Sequence, residues 1–585
     1  MSSGAGVMLE LSGAKILIES LLKEKVEVVF GLPGGQALPI FDAIYGSTLN
    51  FILTRHEQAA SHMADGYSRS TGKPGVFIVT SGPGATNIVT GLGTAYMDSV
   101  PIVAITGQVA TSVIGQDAFQ EVDTIGITRP VTKHNFLVKD VKDLAKTIKE
   151  SFYIATTGRP GPVLIDIPID VQRAVHEFVY PKEVEIRSYK PNNSGHPVQV
   201  KKAVDIINNS ERPVLYVGTG VVISNAESEI FEVSKKADIP VTNTLLSIGV
   251  YPCDSDLSLG MLGMHGTFCA NKAVQAADVI IAIGARFDDR CTCKVCDFAK
   301  TAKIIHIDID PTAISKVVDV DIPVVGDAKT VLKEMSVLIE KKERKNWSKL
   351  INKWKTEQPL SYDRNDNNLH PQYVIEKISE LTKGEAIIVT EVGQHQMWSA
   401  QYYKAKRPRL FLSSGGLGTM GFGYPAAIGA KFGNPDKEVI VIAGDGSFQM
   451  NMQEMAVAVL NDVSVKVVIL NNQYLGNVRQ WQEMFYGKRY SHSCLAKRKK
   501  CPQWCNTPDR NRCPVYVPDF VKWAESYGTL GIRVTDKKDV IPAIKKMIET
   551  KNSVVVDVWI EKEENVFPMV PTGSSLDDVI TRISG

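Results

Sequence analysis

Short, uniformly apolar runs recur down the chain, each stopped by a glycine-bearing turn and followed by apolar residues at helical spacing. Residues 26–30 run into Gly31-Leu32-Pro33-Gly34-Gly35, and 51–54 lead to a helix start. Residues 75–80 run into Ser81-Gly82-Pro83-Gly84, and 100–106 and 163–167 supply two more strands. The pattern returns at 213–220, 279–284 and 304–310, and again at 386–390, 439–443, 465–470 and 554–559. Strands alternating with helices predict parallel sheets covered on both faces, with ligands beyond the carboxyl ends of the strands. The fold class is therefore α/β, with three doubly wound parallel-sheet domains at 10–172, 196–340 and 370–560 and a tail at 561–585. A polar, proline-punctuated linker at 173–195 and a charged helical bridge at 341–355 separate them, and the third domain repeats the topology of the first.

Bulk properties narrow the classes. A chain of 585 residues is too long for one core. A net charge of +2 gives no electrostatic case for nucleic acid or membrane as main partner. No apolar run approaches a bilayer span, and the first residues resemble neither a secretory signal nor a transit peptide, so the expected location is the cytoplasm or an organelle stroma. The nine cysteines are expected as reduced thiols. They cluster, however, at Cys291, Cys293 and Cys296 and at Cys494, Cys501, Cys505 and Cys513.

The most informative stretch is Ala443-Gly444-Asp445-Gly446-Ser447 with the later Asn471-Asn472. One strand–helix–strand unit brings a carboxylate and an amide oxygen to the carboxyl ends of neighbouring strands, beside N–H groups that can hold phosphate. A hard cation takes such oxygens and leaves positions for a diphosphate. Gly-Asp-Gly alone is also a common turn. With its spacing to Asn-Asn, the stretch resembles the diphosphate-and-magnesium motif of thiamine-diphosphate (ThDP) enzymes. That resemblance makes Asp445 and Asn472 side-chain ligands of Mg2+, with the Tyr474 carbonyl beside them.

Arg55-His56-Glu57-Gln58-Ala59-Ala60 opens a helix, where a glutamate is favoured simply by the dipole. The run through Tyr67 also resembles the segment carrying the activating glutamate of ThDP enzymes, whose carboxyl hydrogen-bonds the pyrimidine ring and shares the general-base task with the cofactor. In that family the site forms between the first domain of one subunit and the third of another, which implies a homodimer or a higher oligomer such as a tetramer.

Eight further segments narrow the resemblance. They are Gly31-Leu32-Pro33-Gly34-Gly35, Ser81-Gly82-Pro83-Gly84-Ala85-Thr86-Asn87, Ala118-Phe119-Gln120-Glu121, the 161–168 strand, Gly284-Ala285-Arg286-Phe287-Asp288-Asp289-Arg290, Gly393-Gln394-His395-Gln396-Met397-Trp398, the 415–421 turn and Val478-Arg479-Gln480-Trp481. In order over nearly the whole chain, they resemble catalytic subunits of acetohydroxyacid (acetolactate) synthases. That family decarboxylates pyruvate on ThDP and adds the hydroxyethyl carbanion to pyruvate or 2-oxobutyrate, giving acetolactate or acetohydroxybutyrate for branched-chain amino-acid synthesis. The resemblance implies that Gly34, Gly35, Phe119 and Gln120 line the reacting centre, that Arg290 binds the second acid's carboxylate and that Trp481 packs on its side chain. Pro83, Asn87, Gln394, His395, Gly418, Met420, Gly444, Gly446 and Ser447 would contact ThDP, Met420 as the prop that bends it. A structural FAD would lie at Arg159, Gly218, Gly220, His265, Gly266, Arg286, Asp308 and Asp327. The partners implied are small 2-oxo acids and a small regulatory subunit; the rival activities are another ThDP carboligase or a flavin-dependent pyruvate oxidase.

Three departures stand out. Ile169 takes the place of a lysine common in the family, and Asn477 that of a methionine. Residues 493–517 are an insertion carrying Cys494, Cys501, Cys505 and Cys513, whose four thiolates can close a tetrahedral zinc site. Their spacing lacks Cys-x-x-Cys, which leaves reduced thiols or a redox pair as alternatives. With Cys291, Cys293 and Cys296 placed directly after Arg290, the two clusters are expected to meet over the mouth of the site.

Overall fold

A computed structural model describes residues 9–502, 505 and 513–581. Three six-stranded sheets carry the fold, and every neighbouring pair within them is parallel. The first runs Asn50–Leu53, Val28–Leu32, Gly75–Val79, Ile102–Gln108, Val163–Pro168, His134–Leu137 across the sheet. The third runs Phe411–Leu412, Ile387–Thr390, Val439–Gly444, Lys466–Asn471, Val554–Trp559, Leu530–Val534. Numbered by their order in the chain, both follow 2-1-3-4-6-5, so the repeat expected from the sequence extends to the strand order. The middle sheet, Ser258–Met261, Val241–Asn243, Pro213–Val217, Val279–Ile283, Lys303–Asp308, Ile322–Val325, follows 3-2-1-4-5-6. That is the order of doubly wound dinucleotide-binding sheets, whose crevice opens where the order reverses.

The central strands form because their β-branched side chains are buried on both faces, as in Val76, Ile78, Val103, Ile105, Val439, Ile440, Val441 and Ile442. Edge strands behave differently. His134–Leu137 and Leu530–Val534 are largely exposed or half-buried, carry no continuous apolar run and escape a reading by pattern. The polar stretch 173–195 is not a free connection: Val175–Glu177 pairs antiparallel with Glu10–Ser12, and the Tyr189 hydroxyl meets Lys133 Nζ at 2.8 Å. The charged bridge is the helix Lys345–Glu357, anchored by buried Trp347.

The chain packs as two compact units. One holds the first 190 residues with 414–436 and 451–464; the other holds 191–413, 437–450 and the chain from 465 onward. Parts of the third domain thus belong with the first sheet. In that unit helix Gly423–Gly433 crosses Glu57–Thr71 at backbone contact. A Cβ on Gly66 would stand 1.9 Å from the Ala426 carbonyl oxygen, and one on Gly429 1.8 Å from that of Met63, so only glycine permits the approach. Beneath the crossing, buried Arg69 pairs with Asp65 and, at 2.9 Å, with Asp98, which also accepts from the amides of Gly415 (3.0 Å) and Gly416 (2.7 Å).

Candidate active site

In the second unit Gly444 pairs with Leu470 and Ile442 with Thr390, so three neighbouring strands end level. Asp445 and the Asn471-Asn472 pair stand there together. Asp445 is 1% exposed, and neither carboxylate oxygen meets a donor in hydrogen-bonding geometry, although the Tyr516 hydroxyl and the Asn472 amide lie close enough to lower its pKa a little. Burial pushes that pKa up to about 7. A sealed anion without a partner is unfavourable, so the turn fits an incoming cation. Asn472 Oδ1 accepts from the Tyr474 amide at 3.0 Å, and its Nδ2 lies 3.4 Å from Gln394 Oε1. The main-chain bonds that tie this loop to Ser493 and Leu495 come from residues 473 and 475, so they do not use the Tyr474 carbonyl. The His395 ring lies over the turn: Cβ atoms on Gly444 and Gly393 would stand 2.8 and 2.7 Å from it. Burial lowers the His395 pKa to about 3, which keeps the ring neutral.

The first unit gathers a second group. Glu57 opens helix Glu57–Thr71, where His56 Nδ1 accepts from the Gln58 amide. Asn87 Nδ2 donates to Glu57 Oε2 at 3.0 Å, and Gly84 leaves room beside Oε1, where a Cβ would come no nearer than 3.9 Å. Gly82 has φ +57°, and a Cβ there would press on the Gln120 backbone; Gly34 lies against Thr80. Gly35 faces open space, Phe119 is exposed, and so is Pro83. Gly418, with φ +70°, and Met420 belong to this unit too, on a turn where Thr419 Oγ1 meets Thr94 Oγ1 at 2.7 Å.

Arg290 and Trp481 keep their heads accessible in the second unit. Arg290 Nη1 touches only Met264 Sδ at 3.5 Å, with Asp289 at 3.6 Å, and Trp481 stands partly exposed on helix Gly476–Phe485. At the reversal of the middle sheet, Gly218 and Gly220 pack backbone to backbone on Gly284, where a Cβ on Gly218 would stand 2.1 Å from the Gly284 carbonyl oxygen. Arg286 follows on the same turn as Gly284. His265 and Gly266 lie in this unit as well; burial lowers the His265 pKa to about 4, and its Nδ1 stands 3.4 Å from the Pro568 carbonyl oxygen. Strand order and close glycine turns fit a dinucleotide. Two acids of the expected set have local work: Asp327 caps helix Ala328–Leu338, and Asp308 accepts from the Asp310 amide. Arg159 belongs to the other unit, with Nε donating to Ser99 Oγ at 2.9 Å.

The cysteine expectation needs correction. Among the described residues, which include all nine cysteines, no three His, Cys, Asp or Glu side chains gather as a metal site, and every thiol is free. Cys494, Cys501, Cys505 and Cys513 therefore do not form the expected zinc centre, and the two clusters do not join in one. The sulfurs have local surroundings instead: Cys501 Sγ accepts from the Arg498 amide at 3.3 Å, and Cys291 is buried, with burial holding its thiol protonated.

Two carboxyls escaped the sequence reading. Glu454 is fully buried; Oε2 accepts from the Arg55 amide at 3.1 Å, Oε1 has no partner, and burial raises its pKa to about 7. Its signal was a carboxylate placed directly before the apolar run Met455-Ala456-Val457-Ala458-Val459-Leu460. Asp98 gave no such signal, because its partners Arg69, Gly415 and Gly416 are remote in sequence.

Three family models match the chain: the N-terminal TPP binding domain of thiamine pyrophosphate enzymes over 11–127, the central domain over 200–335 and the C-terminal TPP binding domain over 391–558. The chain is 47% identical to the acetolactate synthase large subunit of Buchnera aphidicola subsp. Schizaphis graminum, over 98% of this chain and 99% of that one. It is 44% identical to the acetolactate synthase isozyme 3 large subunit of Escherichia coli K12, over 97% and 98%. With the probable acetolactate synthase large subunit of Methanocaldococcus jannaschii the identity is 46%, over 98% and 96%.

Proposed function

This chain belongs to the thiamine pyrophosphate enzymes, among the acetolactate synthase large subunits, and from that premise we propose that Glu57, Asp445 and Asn472 are the working groups of its site. It is an acetolactate synthase: it joins pyruvate to a second 2-oxo acid, pyruvate or 2-oxobutyrate, with loss of carbon dioxide. Thiamine diphosphate, when bound, supplies the electron sink that lets a 2-oxo acid lose its carboxylate and its acyl carbon attack a carbonyl.

The residues divide the remaining work. Asp445, Asn472 and the Tyr474 carbonyl would hold Mg2+, which would neutralise the diphosphate, in a turn that Gly444, Gly446, Ser447, Gln394 and His395 line. Glu57 has Oε2 engaged by Asn87, so Oε1 is the atom that exchanges a proton with the cofactor ring. Gly34 and Gly35 offer main-chain amides to the reacting oxygen, with Phe119 and Gln120 beside them; Pro83, Gly418 and Met420 shape the cofactor seat. The accessible Arg290 guanidinium takes the second acid's carboxylate, and Trp481 takes its side chain, where one methyl is worth about 1–3 kcal/mol. FAD would be held in the second unit by Gly218, Gly220, His265, Gly266, Arg286, Asp308 and Asp327, and its part would be structural, since the net reaction passes no electrons to an acceptor.

The large-subunit names of the relatives support a small regulatory partner, and the family resemblance supports a homodimer or tetramer. Among the described residues no helix is long and apolar enough to cross a membrane, in keeping with a cytoplasmic or stromal enzyme. The observation carrying the proposal is the Asp445 carboxylate, buried and unpaired beside Asn472 at level strand ends. Acetolactate production from pyruvate, with ThDP, Mg2+ and FAD omitted in turn, tests it. Strict need for an external electron acceptor, with the flavin bleaching under anaerobic pyruvate, would establish the oxidase instead.

A further inference from the structure

The inserted segment 493–517 reaches the cation turn from both of its limbs. Its first limb pairs with the loop after the paired asparagines: the Leu475 amide donates to the Ser493 carbonyl at 2.8 Å, and the Leu495 amide to that of Gln473 at 2.9 Å. The Leu495 side chain then covers Gly446 so closely that a Cβ there would stand 3.1 Å from Leu495 Cδ1. In the second limb Val515 and Val517 are 79% and 63% exposed, whereas Tyr516 between them is 5% exposed. Its ring turns inward toward Phe520, itself packed on Phe448 of the motif helix. The Tyr516 hydroxyl accepts from Gln449 Nε2 at 3.0 Å, and the same nitrogen donates to the main-chain carbonyl of Asp445 at 2.9 Å. Arg498 ties the limbs together through Nη2 to the Val515 carbonyl at 3.0 Å.

A loop serving only to fill surface has no need of a tyrosine drawn in between two exposed valines. A chain of contacts from Tyr516 through Gln449 to the Asp445 main chain, a Tyr516 hydroxyl close to the carboxylate itself, and Leu495 closing the turn above Gly446 together restrict where Asp445 can stand. Outer partners of this kind set metal affinity by fixing the ligand's orientation. We propose that the two described limbs of the insertion, 493–502 and 513–517, strap the cation turn, with Tyr516 as the positioning residue that holds Asp445 in place directly and through Gln449. This rests on the assignment of Asp445 as the Mg2+ ligand.

The test uses the full-length chain freed of cofactors, with Mg2+ titrated at fixed ThDP and binding followed by quenching of intrinsic tryptophan fluorescence. Tyr516→Phe keeps the ring and removes the hydroxyl; it should raise the Mg2+ half-saturation about fivefold, while the melting temperature of the cofactor-free protein stays put. Tyr516→Ala, which also loses the ring, should raise it about tenfold or more. Leu495→Gly acts on the other limb and should raise it without touching Tyr516. Unchanged half-saturation in Tyr516→Phe, or a lower melting temperature with the Mg2+ dependence intact, overturns the strap. Asp445→Ala is the separate check: unaltered Mg2+ binding there removes the ligand assignment itself, whatever Tyr516 does.

Discussion

The first and third sheets share one strand order, yet the acids they present differ in kind. Glu57 follows Asn50–Leu53, an edge strand, and is half-buried with one oxygen held by Asn87. Asp445 follows Val439–Gly444, an interior strand, and is sealed with no donor in bonding geometry on either oxygen. An edge leaves a carboxyl within reach of something that must enter and exchange a proton. An interior position leaves a carboxyl that is comfortable only when neutral or when a cation joins it. The same topology therefore yields a reachable, half-satisfied acid at one strand end and a sealed, unsatisfied one at another, the difference on which their proposed roles rest.

Glu57→Gln should break the comparison most sharply. The amide keeps the shape and the Asn87 neighbour but cannot exchange a proton, so kcat should fall by about 10²–10⁴ while Mg2+-dependent ThDP binding persists. Full turnover in this variant would mean that proton transfer runs elsewhere.

Asp445→Asn should produce the opposite split. Mg2+-dependent ThDP binding should weaken by more than the roughly 10- to 100-fold that loss of an outer partner costs. The cofactor-free protein should lose a pH dependence as well. With its folded pKa raised to about 7, Asp445 binds its proton more tightly in the folded chain than in the unfolded one. Stability of the cofactor-free chain therefore falls as pH rises from about 4 through 7, and the amide, which carries no titrating proton, would flatten that slope. Chemical denaturation across this range, without cofactors, measures it.

Asn87→Ala sits between the two. It frees Glu57 Oε2, and a hydrogen bond to a charged group is worth about 1.5–3 kcal/mol, so kcat should drop by roughly ten- to a hundredfold with cofactor binding little changed. A steady-state assay beside the fluorescence titration separates the two quantities.

What the sequence disclosed follows from where each residue lies. Val439–Gly444 and Lys466–Asn471 were legible because interior strands must be apolar on both faces, and Asp445 and Asn472 stand at their ends, where such folds present ligands. His134–Leu137 and Leu530–Val534 were not, since an edge strand tolerates polar residues and breaks the apolar run. Asp98 was hidden because only the folded chain brings Arg69, Gly415 and Gly416 to it. The zinc expectation failed for a related reason: cysteine spacing fixes composition, not a metal-holding geometry, and among the described residues no three of these thiols gather as a metal site, while Cys494 bridges Tyr474 and Cys501 accepts from the Arg498 amide.

Glu454 offers the finest discrimination and the smallest expected effect. Like Asp445 it is buried with a pKa raised to about 7, so it too should make the cofactor-free protein less stable as pH rises from about 4.5 through 7. Unlike Asp445, it has one oxygen satisfied, by the Arg55 amide at 3.1 Å. Glu454→Gln preserves that acceptor and removes only the charge. It should leave stability nearly unchanged at about pH 4, where folded and unfolded chains both hold the proton, and raise it progressively as pH climbs through 7. Adding Mg2+ and ThDP should then tell the two acids apart: the slope owed to Asp445 should disappear, because a bound cation makes its anion the favoured form, while the slope owed to Glu454 should persist. If the cofactors erased both slopes, burial would not be the difference between the two sites, and the division of labour drawn from strand position would fail with it.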